Sequence, residues 1–197
     1  MSHHAHEHHN LDNEENFKRM VAALDGEERK QQLPAEAIIG YLPELAGKTI
    51  FDGGAGTGFL TLPLAKQAEK VIAFDQSKKM LELIHERAKA QQLTNITSMS
   101  GDIKAIVLPD SSMDIAIVCM MIHEVHPFED ALKELARIIK PDGQLVILEF
   151  ESETTQANGG HRIPSQVMKR SLEKLQLPII QQLIPAEGMY LFVVGKK

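Results

Sequence analysis

Residues 49–59, TIFDGGAGTGF, join a short apolar run to one acid, Asp52, and four glycines, Gly53, Gly54, Gly56 and Gly58. The next segment, LTLPLAKQ at 60–67, looks helical, so the glycines stand where a strand turns into a helix. Such a turn brings backbone close to a ligand, and that ligand is commonly a nucleotide. The phosphate-gripping pattern G-x-x-x-x-G-K-[ST] fails, because Phe59 follows Gly58 where a lysine is needed. The dinucleotide pattern G-x-G-x-x-G, begun at Gly54 and Gly56, would need glycine at 59 and fails on the same residue. The spacing is G-x-G-x-G.

Working outward, apolar runs recur at 70–75 (KVIAFD), 95–101 (NITSMSG), 113–120 (MDIAIVCM) and 143–150 (GQLVILEF). Helical patterns fill the gaps near 58–68, 77–92 and 127–140. Ser77 is placed to cap the second, with Met80, Leu81, Ile84 and Ala88 on one side. Pro141-Asp142-Gly143 is expected to end the third and turn the chain into a strand. Strands alternating with helices predict an α/β, Rossmann-like doubly wound sheet with helices on both faces. Beyond it, PSQVMKRSLEKL (164–175) predicts a helix, and IIQQLI (179–184) with YLFVVG (190–195) a closing antiparallel hairpin. Upstream, 11–32 predicts a surface helix or cap, and Pro34 suits the first turn of a helix bearing Ala37, Ile38, Tyr41 and Leu42 on one face. The expected organisation is a His-rich tail over 1–10, a helical segment over 11–46 and one domain over 47–197.

The acids narrow the ligand. Asp52, at the mouth of the turn, would repel a pyrophosphate on the following helix and attract an ammonium. Asp75 ends the second run, 23 residues after Asp52, where a carboxylate can pair with ribose hydroxyls. Asp102 follows the third run and can accept from an adenine amino group, with Ile103 against the ring. Acids at three consecutive strand ends point to one crevice at the carboxyl edge of the sheet. A cationic adenosine compound without phosphate fits it, and S-adenosylmethionine is such a compound.

The segments FDGGAGTG, VIAFDQS, GDIKAIVLPDSSMDIAIV and LARIIKPDGQLVILEF, in this order, resemble the class I S-adenosylmethionine-dependent methyltransferases, in particular the small-molecule branch that includes quinone-biosynthesis enzymes. The resemblance spans roughly residues 47–151. It implies a seven-stranded sheet in the order 3-2-1-4-5-7-6 with the last strand antiparallel. It also implies Asp52, Gly53, Gly54, Gly56 and Gly58 around the methionyl group, Asp75 on the ribose, and Gln76, Met80, Asp102 and Ile103 around the adenine. Cys119 and Met120 would line the floor near the sulfonium, and the N-terminal segment would fold over the cofactor as a lid. Gly54 is the position where the family varies. The product would be S-adenosylhomocysteine.

Methyl transfer needs alignment and exclusion of water more than it needs a catalytic side chain. Two places still offer one. His123, in MIHEVHP, can take a proton or simply shape the wall, while Glu124 and His126 are expected to face solvent or cap the next helix. His161 and Arg162, in GGHRIPSQ, can meet an anionic substrate, or Arg162 can make a surface ion pair.

Composition bounds the rest. A net charge of -6 and the lack of a basic cluster disfavour a nucleic-acid partner, leaving a small-molecule acceptor. The one cysteine, Cys119, excludes an internal disulfide and a multi-cysteine metal site and disfavours arsenite chemistry, and its apolar neighbours predict a buried thiol. No apolar run approaches the roughly 20 residues needed to span a bilayer. No secretion signal is visible, and a cytoplasmic location is expected. Five histidines in the first ten residues suggest either metal capture or an inert tail; no metal site is predicted elsewhere. A sensor that keeps the pocket without turnover, and a nicotinamide-dependent oxidoreductase, stand as alternatives.

Overall fold

The structure, a computed structural model, describes residues 13–151 and 162–196. The expectations for the His-rich start and for His161 lie outside those residues. The chain begins with helices α1 (Glu14–Leu24), α2 (Glu27–Gln32) and α3 (Ala35–Ile39), then alternates. Strands β1 (Thr49–Gly53), β2 (Lys70–Asp75), β3 (Ile96–Ser100) and β4 (Met113–Cys119) are separated by α4 (Thr61–Ala65), α5 (Lys78–Ala90) and an irregular link. A 3-10 turn (Ile122–Glu124) and α6 (Phe128–Ile138) lead to β5 (Ile139–Phe150). Helix α7 (Ser165–Lys174) precedes the hairpin β6 (Ile179–Leu183) and β7 (Met189–Gly195).

The seven strands form one sheet in the order β3-β2-β1-β4-β5-β7-β6, as the resemblance implied. The five from β3 to β5 run parallel, and β7 is antiparallel to both neighbours. Side chains alternate between two buried cores because strand periodicity is two. Phe51, Phe74, Val118, Ile147 and Phe192 face α6 and α7, whose Leu132, Leu135, Met168 and Leu172 close that side. Ile50, Val71, Ile117, Val146 and Leu191 face α3 and α4 through Ile38 and Leu64. On that second side, Leu81 and Ile84 of α5 pack on Ala55 and Ala73. Ser77 caps α5 by accepting from Met80 N–H at 3.4 Å.

One local expectation changes. Pro141-Asp142-Gly143 is not the stop of a helix: α6 has ended at Ile138, and the tripeptide lies inside β5 as an irregularity in its pairing with β4. Gly143 belongs there because a Cβ would stand 2.8 Å from Asp114 O and 3.0 Å from Lys140 N. Cys119 is half-buried rather than buried. Among the described residues, no helix is long and apolar enough to cross a membrane, and no cluster of His, Cys, Asp and Glu is arranged to hold a metal.

Candidate active site

β1 ends at Asp52 and Gly53, and the turn that follows hangs on the end of β2. Gly54 and Ala55 N–H both donate to Phe74 O at 2.8 and 2.9 Å. Gly56 N–H donates to Asp75 Oδ2 at 2.8 Å, and Gly58 N–H to Ala55 O at 2.9 Å. A phosphate-binding nest turns such amides toward its anion. Here four of them are engaged inside the protein, so the turn suits a ligand without phosphate at this point.

Gly54, Gly56 and Gly58 have φ of +75°, +53° and +85°, whereas Gly53 continues the strand. A Cβ at Gly54 would also run into the Met121 side chain at Cγ and Cβ. The motif marks Gly54 as the position open to variation. The backbone reverses this: Gly54 needs the left-handed region and the space, and Gly53 needs no unusual φ.

Asp52 is only 2% exposed, and its carboxylate accepts from Thr61 Oγ1 at 2.5 Å. Burial pushes its pKa up to about 6; the Thr61 hydroxyl opposes the rise and the charge of Asp75 adds to it. Asp75 is raised as well, again by burial, against backbone N–H donors that include Ser77 and Gly56. The distances are 2.8 Å from each of these two amides, one to each carboxylate oxygen. Each oxygen keeps acceptor capacity for a hydroxyl. Two poorly hydrated carboxylates at neighbouring strand tips make an electronegative crevice, which a cation would relieve. Those acceptors fit S-adenosylmethionine, with its ammonium and ribose hydroxyls as donors.

The other predicted residues spread around this centre. Ile103 is buried, with Cδ1 3.1 Å from where a Cβ on Gly53 would sit, so it reaches the turn. Asp102 is exposed and accepts from its neighbour Lys104 N–H at 2.9 Å. Gln76 is exposed and Met80 is buried in α5. Cys119 closes β4, and Met120, at φ +52°, donates its N–H to Leu148 O at 2.7 Å. Glu124 and His126 are exposed, and α6 starts without a side-chain cap. Arg162 donates to Glu151 O at 3.5 Å, and its guanidinium lies 4.9 Å over the Phe150 ring.

Three features are not legible in the sequence motifs. Thr61, which holds Asp52, carries no signal of its own. The end of α1 packs on the glycine turn: Asp25 accepts from Thr57 Oγ1 at 2.8 Å and pairs with Arg87 at 2.6 Å. Finally, His123 Nδ1 stands 2.8 Å from Oε2 of Glu149, a carboxylate with 0% exposure at the end of β5. An acid inside the apolar run QLVILEF is the available clue to Glu149. Burial lowers the proton affinity of His123, and the Glu149 carboxylate more than restores it, so the pKa ends above the ordinary histidine value.

A family profile described as a methyltransferase domain matches residues 51–147. A demethylmenaquinone methyltransferase of Lactobacillus johnsonii is 36% identical over 113 residues, covering 55% of this chain and 46% of that protein. An uncharacterised protein of Escherichia coli K12, YafE, is 34% identical over 99 residues, covering 50% of this chain and 48% of its own length. The chain thus spans about half the length of these curated relatives. The crystal structure of an S-adenosylmethionine-dependent methyltransferase from Aquifex aeolicus superposes with a TM-score of 0.79 at 22% identity, over 88% of this chain and 95% of that one. That profile match, those relatives and this strand order identify a methyltransferase domain in this chain, built on the class I S-adenosylmethionine-dependent methyltransferase fold.

Proposed function

We propose that this protein methylates a small-molecule acceptor, with S-adenosylmethionine as donor and S-adenosylhomocysteine as product. The observation that carries the reading is the pair Asp52 and Asp75, both held above the ordinary carboxylate range beside a turn whose amides are engaged internally. In this reading Asp52 and Gly53, Gly54, Gly56 and Gly58 surround the methionyl group, and Asp75 holds the ribose. Gln76, Met80, Asp102 and Ile103 enclose the adenine, and Cys119 and Met120 form the floor. The donor supplies an electrophilic methyl on a sulfonium; the protein binds, orients and excludes water. The helical segment over 11–46 acts as a cover, supported by the contact of α1 with the glycine turn. The relatives named for demethylmenaquinone support a small aromatic acceptor.

Calorimetric titration with S-adenosylmethionine and with NAD tests the donor: preferential binding of NAD overturns the reading. Mass spectrometry of protein purified without added ligand is expected to show retained S-adenosylmethionine or S-adenosylhomocysteine. A sensor would bind the donor yet give no methylated product across a broad acceptor panel.

A further inference from the structure

Glu149 is the buried acid that donor binding does not use. It lies in β5 with 0% exposure. A carboxylate in such surroundings is costly unless its oxygens are well supplied with donors. Oε2 meets His123 Nδ1 at 2.8 Å and Phe150 N–H at 3.3 Å, and Oε1 meets His123 N–H at 3.3 Å. One carboxylate therefore grips both the backbone and the ring of His123.

That grip sets the state of the imidazole. With Nδ1–H donating to Glu149, neutral His123 presents the lone pair of Nε2 on its other edge. Among the described residues Nε2 meets no hydrogen-bond partner, and the His123 side chain keeps 18% of its surface exposed. The stretch of chain that carries His123 borders the glycine turn: Met121, two residues before it, is the side chain seated against Gly54. The charges that act on the ring come from three elements. Glu149 on β5 and Glu124 on the 3-10 turn raise its proton affinity; Arg162, on the segment leading into α7, lowers it, as burial does. Tyr190 on β7 faces Glu149 but is spent, donating its hydroxyl proton to Ile163 O at 2.9 Å.

We infer that the methyl acceptor is a weak acid, a phenol, enol or thiol, whose proton is taken by His123 Nε2, with Glu149 as the positioning residue that holds the ring. This rests on the methyltransferase reading. The acceptor X–H gives its proton to Nε2, and the electron pair left on X forms the X–CH3 bond. The C–S bond of the sulfonium breaks with its pair staying on sulfur as the thioether. Nε2 then returns one proton to water, while the other proton stays on Nδ1, hydrogen-bonded to Glu149, throughout. An aryl amine, neutral at pH 7, would have no use for this arrangement before attack, because its lone pair is already available.

The test has two arms on the full chain. In the first, NMR titration of His123 with S-adenosylhomocysteine present is expected to show a pKa above the ordinary histidine value in the wild type and a lower one in Glu149→Gln. In the second, catechol, 1,4-naphthohydroquinone and phenylmethanethiol are offered with isotopically labelled S-adenosylmethionine, alongside aniline and N-methylaniline. Label is expected on the weak acids and not the amines. The rate should rise with pH through the His123 pKa, because the protonated ring cannot accept. Glu149→Gln should move that limb to lower pH and cut the maximal rate by about 10–100-fold, the range for losing the carboxylate that orients a histidine. His123→Gln should remove the limb while leaving calorimetric S-adenosylmethionine affinity within about twofold of wild type, a ratio worth under about 0.5 kcal/mol. The inference is overturned by label on the amines, by a limb that Glu149→Gln does not move, or by donor binding with no weak acid methylated. Failure to bind S-adenosylmethionine at all would instead sink the methyltransferase reading beneath it.

Discussion

Asp25 and Arg87, 62 residues apart, form a 2.6 Å ion pair that straps the end of α1 to α5 across the glycine turn. Arg87 also donates to Thr57 O at 2.9 Å, so the strap ties both helices to the turn itself. Both side chains are about three-quarters covered, with exposures of 30% and 26%, so solvent screens the pair only in part. Arg87→Met should cost about 1.5–3 kcal/mol of local stability, the range for hydrogen bonds to charged groups. Hydrogen exchange of α1 amides is then expected to quicken by about 10–100-fold while β1 and β4 amides change little. Unchanged α1 exchange would show that the strap does not hold the helix.

Gly54→Ala should be the most damaging of the turn substitutions. It forces a left-handed backbone, worth about 1–2 kcal/mol, and overpacks against Met121 for about 1–3 kcal/mol more. Gly56→Ala carries the backbone cost alone, since its nearest neighbour, Leu24 Cδ1, is at an ordinary 3.4 Å. Urea unfolding should therefore rank Gly54→Ala below Gly56→Ala in stability, and the opposite order would refute the packing argument.

Asp52 sets a pH dependence whose sign is opposite to that of a salt-bridged acid. Its pKa is about 6 in the folded protein against 3.8 for the free side chain, so the folded state binds the proton more tightly. Stability is greatest below about pH 4 for this group and declines by up to about 3 kcal/mol as pH rises to about 6. Asp52→Asn, which still offers a carbonyl to Thr61, should raise unliganded stability at pH 7 by about 1–3 kcal/mol and flatten that decline. It should also weaken S-adenosylmethionine, whose affinity in the wild type is expected to improve as pH passes about 6 and Asp52 ionises. A stability profile that Asp52→Asn leaves unchanged would show that the carboxylate is not strained by burial.

Asp75→Ala removes the proposed ribose partner and, with it, the acceptor of the Gly56 and Ser77 amides. S-adenosylmethionine should bind about 10–100-fold more weakly, a loss of about 1–3 kcal/mol for a charge-assisted hydrogen bond. Calorimetry reads this directly, and an unaltered Kd would place the ribose elsewhere.

Much of the frame is local chemistry, and local chemistry is legible in a string of residues. Apolar runs of five to eight residues, helix-period stretches, the Ser77 cap and acids at strand ends are set by neighbours within a few positions. The sequence by itself therefore determined the alternation of strands and helices, the closing hairpin, and the acids Asp52, Asp75 and Asp102 at or just past the ends of β1, β2 and β3. The resemblance carried by its motifs supplied the strand order. Tertiary structure alone decided which side chains meet. Glu149 reaches His123 because β5 lies beside β4 in one particular register, and Asp52 meets Thr61 because α4 packs on that face of β1. Met121 fills the space above Gly54, and the bulge at 140–143 fits against Asp114, for the same reason. Such contacts depend on how separate elements stack and slide against one another, and no pattern within a single segment encodes that.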